Sequence, residues 1–119
     1  MAEQRLIIEM GMGNDMYGED YTKAAARAIE DAIRHSSLPI FQTIDLSHDA
    51  MRVQVTIGVQ DPGAVDCAAL AAKLPRGRAE VRATKGGLNV AKSEGVIVIA
   101  TAAVEAFLPK QDGWRIKDT

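Results

Sequence analysis

The residues of this chain best suited to chemistry lie in one stretch, Gly11-Met-Gly-Asn-Asp-Met-Tyr-Gly18, continued by Glu19-Asp-Tyr-Thr-Lys23. Three glycines there permit positive φ and close backbone approach. A helix starting just after them would present free N–H groups and the positive end of its dipole. Such a recess can hold an anionic or carbonyl group. Asp15, Tyr17 and Lys23 are therefore the candidate catalytic residues. Gly11, Gly13, Asn14 and Gly18 are candidate ligand-binding residues, joined by the basic Arg82 and Lys85 from further along the chain. The spacing G-x-G-x-x-x-x-G is neither a dinucleotide fingerprint nor an NTPase phosphate loop. Asp15, Glu19 and Asp20 would repel a bare phosphate, so a polar ligand, or one bridged by a cation, suits the stretch better. The plainer alternative is a tight strand-to-helix connection in which Asp15 and Asp20 satisfy backbone donors and Lys23 pairs with Glu19.

Elsewhere the signals are weaker. His35 suits a helix C-terminus and His48 a turn, and two histidines so far apart make no metal signature. Met10, Met12 and Met16 are expected as adaptable core fillers, since no cysteine or histidine joins them at ligand spacing. Cys67 near a helix start has no basic neighbour in sequence and is expected to pack. Lys85-Gly-Gly87 is either a second backbone nest or a simple turn.

The elements that must position these residues follow from periodicity. Arg5–Met10 is expected to be a first strand buried on both faces, breaking at Gly11. Asp20 can cap a helix to about His35, with Thr22, Ala25, Ala26, Ile29, Ala32 and Ile33 on its inner stripe and Arg27, Glu30, Asp31 and Arg34 on its wet face. A second strand is expected over 41–46, after the Ser36-Ser-Leu-Pro39 turn. Met51, Val53, Val55, Ile57 and Val59 alternate with Arg52, Gln54, Thr56, Gly58 and Gln60, the pattern of a sheet packed on one face only. A short helix starts at Asp66 and ends before Pro75, with Val65 and Leu70 placed as a hydrophobic staple. Arg78–Thr84 is a strand, Gly86 to Gly95 a loop, and Val96–Leu108 a long strand. Residues 110–119 form a tail.

The 119 residues, 47% hydrophobic and 25% charged, fit a single domain over 1–119 with an aliphatic core, aromatics being 4%. The expected fold class is α+β: a single-layer, mostly antiparallel sheet of about five strands with two helices on one face, resembling split β-α-β arrangements. The open sheet face would present Arg52, Gln54 and Thr56 beside Arg78, Glu80 and Arg82. Net charge is −2, yet residues 1–66 carry −6 and residues 67–92 carry +5. That split, with the one-sided sheet, predicts a homo-oligomer, or an anionic ligand at the basic segment. A sequence pI of 5.6 and the lack of basic runs interleaved with aromatics argue against nucleic acid. One cysteine, no secretory start and no long apolar run point to a cytoplasmic protein without membrane insertion. No residue is assigned as a metal ligand, and the sequence does not identify a cofactor.

The stretch also resembles the G-x-G-x-D-x-H-G motif of a small family of conserved hypothetical proteins of bacteria and plants. Gly11, Gly13, Asp15 and Gly18 fit it, and Tyr17 stands where the family has histidine. The likeness continues through the Thr22-Lys-Ala-Ala helix, the Ser36-Ser-Leu-Pro39 turn and the Met51–Val59 strand. It implies a ligand or active-site loop of unassigned chemistry. Tyrosine at 17 weakens any metal-histidine or histidine-base mechanism, because a phenol ligates zinc poorly and does not exchange protons near neutrality as imidazole does. Gly18-Glu-Asp-Tyr-Thr-Lys23 is similar, over a shorter span, to one repeat unit of ring-opening amidohydrolases. That resemblance implies Lys23 polarising a carbonyl or activating Ser36 or Ser37, in a site completed by several subunits. Two functions follow: a small-molecule-binding or enzymatic site at the Gly11–Gly18 loop on a subunit interface, or a non-catalytic oligomeric assembly or regulatory module.

Overall fold

The computed structural model describes residues 3–34, 51–74 and 78–109. The elements are β1 (Glu3–Asp15), α1 (Tyr21–Arg34), β2 (Arg52–Val59), a 3₁₀ turn (Pro62–Ala64), α2 (Cys67–Ala72), β3 (Arg78–Lys85), β4 (Leu88–Ala91) and β5 (Val96–Pro109). The strands form one five-stranded sheet in the order β1-β5-β2-β3, with β4 pairing β5 beyond the end of β2. This is the expected α+β sheet, with both helices on one face. It is mixed: β1–β5, β2–β5 and β4–β5 run antiparallel, whereas β2 and β3, joined through α2, are parallel. The strand expected over 41–46, His35, Ser36, Ser37, the turn at His48 and the tail from 110 lie outside the described residues.

One face of the sheet holds the core. Val53, Val55, Ile57 and Val59 of β2 and the even residues Val98 to Leu108 of β5 are buried there with Ala24, Ala25, Ala28, Ile29 and Ala32 of α1 and Leu70 of α2. The inner stripe of α1 is turned from the expected one: Ala24 and Ala28 replace Thr22 and Ala26. Asp20 caps α1 by accepting from Lys23 N at 3.0 Å, and Asp66 caps α2 by accepting from Ala69 N at 3.0 Å.

The first strand does not break at Gly11. It runs on to Asp15 with Gly11 and Gly13 inside it, on the face that α1 covers. A Cβ at Gly11 would run into the backbone of Ala28 and Ala32, and one at Gly13 into that of Arg27 and Ala28. Glycine on the strand against alanine on the helix lets the two backbones nearly touch. These glycines serve helix packing, and the left-handed conformation near the turn belongs to Glu19, at φ 48°.

A second difference is β4. Gly86 and Gly87, the latter at φ 61°, carry the chain across the end of β2, where a side chain would strike the carbonyls of Gly58 and Ile99. The chain then pairs Leu88–Ala91 with the start of β5. No helix among the described residues is long and apolar enough to cross a membrane.

Candidate functional site

Asp15, the last residue of β1, is 3% exposed. Its Oδ2 accepts from Gly18 N at 3.1 Å and from Asp20 N at 2.9 Å. Its Oδ1 lies 3.7 Å from both Lys23 Nζ and Arg27 Nη1. The turn 16–20 thus folds around the carboxylate as a ligand of its own, using the amides and cations that could have met an external anion. The Asp20 amide above all, then the Gly18 amide, Lys23 and Arg27, hold the Asp15 carboxyl below its ordinary 3.8 against the opposing effect of burial. A carboxylate so held is a poor general base and cannot serve as an acid near neutrality.

The structure brings some of the expected residues together and separates others. Asp15, Gly18 and Lys23 meet at this turn. Tyr17 points outward, 88% exposed, with Lys92 Nζ 4.2 Å from its ring centroid and donating to the Met16 carbonyl. Asn14 contributes its carbonyl, which accepts from Arg27 Nη1 at 2.6 Å. Arg82 and Lys85 lie on β3, three strand spacings and roughly 14 Å away at about 4.8 Å per strand. Arg82 Nε donates to Thr56 Oγ1 at 3.1 Å across the open face. Behind the turn, Asn89 Nδ2 donates to Tyr21 Oη at 2.7 Å, while Asn89 Oδ1 is buried with no hydrogen-bond partner among the described residues. No group of three potential metal-ligating His, Cys, Asp or Glu residues occurs among the described residues.

The sequence-based assignment missed Arg27, placed on a wet face, and Asp31, whose carboxylate accepts from Met12 N at 3.0 Å. Both side chains reach the edge of β1 that no described strand pairs. It also missed what the open face carries. Met10 and Met12 are not core fillers: they are 72% and 60% exposed on the helix-free side, with Ile8 beside them and Leu88 and Val90 exposed on β4. The pairing register places Leu88, Val90, Met12 and Met10 next to Ile99, Ile97, Thr101 and Ala103 of β5, and Ile8 next to Glu105. The period-two spacing of Ile8, Met10 and Met12 was the available signal, masked by treating Gly11 as a breaker.

The other half of the open face is polar, as expected. Arg52, Gln54 and Thr56 stand opposite Arg78, Glu80 and Arg82. Arg52 Cζ lies 4.3 Å from the Phe107 ring centroid, and Arg52 Nε bonds Glu3 at 3.0 Å. Arg5 pairs with Glu105 at 3.1 Å. The face therefore divides into an apolar band over Ile8–Met12 of β1, the first half of β5 and β4, and a charged field over β2, β3 and the Arg5–Glu105 end of β1 and β5.

Comparison with known proteins gives two matches. The model of a family described as "Conserved hypothetical protein (Lin0512_fam)" matches residues 5–106. The crystal structure of an FtsZ-like protein of unknown function from Nostoc punctiforme superposes with a TM-score of 0.82 at 36% sequence identity, over 92% of this chain and 99% of that one. No curated protein matches.

Proposed function

Since the chain belongs to the Lin0512_fam family of conserved hypothetical proteins, we propose that it is a homo-oligomeric assembly module whose open sheet face pairs with the same face of a second copy. The observation that carries this is the exposed band of Ile8, Met10, Met12, Leu88 and Val90 on the face turned away from α1 and α2. Contiguous apolar surface of this kind marks an interaction site.

Three features favour a second copy laid face to face. The two outer strands among the described residues carry devices that discourage strand addition: Asp31 and Arg27 cover backbone groups of β1, and β3 carries Arg78, Glu80, Arg82 and Lys85. The open face, four strands wide from Thr101 to Phe107 and three strands wide from Ile97 to Ile99, covers roughly 600 Å², using about 3.4 Å per residue and 4.8 Å per strand. That is near the roughly 800 Å² per partner of an ordinary stable interface. Arg78, Glu80 and Arg82 alternate in sign along β3, so a two-fold axis crossing the strands at Val81 sets Glu80 against Arg82 of the second copy, twice over.

The test is the mass in solution by light scattering. Because the band is apolar, a dimer of about twice 12.8 kDa is expected at both low and high salt. A monomer under both conditions would remove the basis for assembly.

A second function, a small polar or anionic ligand at the Gly11–Gly18 turn, is favoured by one observation. The side chains of Lys23 and Arg27 remain 53% and 46% exposed although both reach Asp15, leaving N–H donors toward solvent. A carboxylate or phosphate bound there would raise the melting temperature of the wild type and not of Lys23→Ala. Equal shifts in the two proteins would exclude the turn as the site.

A further inference from the structure

Resting on the assembly role of the open face, we propose that Met10 and Met12 are a modification site: oxidation of their thioethers by hydroperoxide keeps the chain from pairing through that face. The two side chains stand at i and i+2 on β1, so they share the helix-free side, and both are largely exposed. Their cross-strand neighbours on β5 are Ala103 and Thr101, too small to shield a sulfur. Met51, 4% exposed in the core beneath the helices, is the internal contrast.

In the reaction each thioether sulfur gives an electron pair to a peroxide oxygen. An S–O bond forms as the O–O bond breaks, the sulfur is oxidised by two electrons, and the departing oxygen takes up a proton to leave as water or an alcohol. The product is a polar sulfoxide in place of an adaptable apolar side chain. Paired face to face, the Met10 oxygen would lie against Ile8, Ala103 and apolar surface of the second copy, which offer no hydrogen-bond donor, and the Met12 oxygen would have at most the Thr101 hydroxyl in place of water, so the sulfoxides favour the separated, hydrated chain. Oxidation occurs on the dissociated chain, where the sulfurs are open, and holds it there.

The experiment treats the intact chain with hydrogen peroxide, locates the added oxygen by peptide mass spectrometry, and measures self-association by sedimentation before and after. Met10 and Met12 take up oxygen before Met51, and the dimer dissociation constant rises at least tenfold. Methionine sulfoxide reductases, which together reduce both sulfoxide epimers, restore pairing. The double variant Met10→Leu, Met12→Leu stays dimeric and does not respond to peroxide. Unchanged pairing with both sulfurs oxidised overturns the switch alone, as does a leucine variant that dissociates like the wild type. A wild-type chain already monomeric before treatment overturns the assembly role, and the switch with it.

Discussion

A carboxylate withdrawn from water is destabilising unless donors surround it, and Asp15 has two amides and two cations. Its arrangement explains why the stretch looked functional in sequence: glycines, a helix start and basic residues are the materials of an anion site, and here the anion is supplied by the chain. Asp15→Asn keeps the shape and removes the charge, so it should lower the melting temperature at pH 7. The pH dependence follows from the direction of the shift. A folded-state value below the ordinary 3.8 means that the unfolded chain binds the proton more readily. The contribution is then fully present above the unfolded value and is lost as pH falls through the folded one. Thermal melts should show a constant gap between wild type and variant from pH 7 to about 5, narrowing below about pH 4. A gap that is independent of pH down to acid denaturation would mean that the charge contributes nothing.

Among the elements, β2 and the caps of both helices were legible because their causes are local. Alternation of Val53, Val55 and Ile57 with Arg52, Gln54 and Thr56 reports a half-buried strand directly, and Asp20 and Asp66 bond amides within three residues. The end of β1 was not legible, because Gly11 and Gly13 are set by a helix that arrives later in the chain and packs backbone to backbone. β4 was hidden for the same reason: four residues between glycines become a strand only because β5 extends past the end of β2. The parallel pairing of β2 with β3 likewise depends on where α2 lays the chain. Gly13→Ala tests this account of β1. The added methyl has no space against Ala28, so α1 must move, and destabilisation of about 1–3 kcal/mol is expected in urea unfolding. A variant as stable as the wild type would show that α1 does not need that closeness.

Over the described residues, the sheet has helices on one side and none on the other, and the surface on that second side is unequal: a charged field that water serves well and an apolar band that it does not. The charge imbalance along the sequence hinted at self-association, and the open face was foreseen in its polar half. Its apolar half became visible only once Met10 and Met12 were placed on a continuous strand. Pairing of two such faces is the central claim, and Met10→Glu tests it most directly, because it sets a charge in the middle of the band without touching the core. Sedimentation equilibrium should give a folded monomer of about 12.8 kDa for the variant beside a wild-type dimer, with circular dichroism spectra alike. A Met10→Glu chain that associates as tightly as the wild type would contradict it.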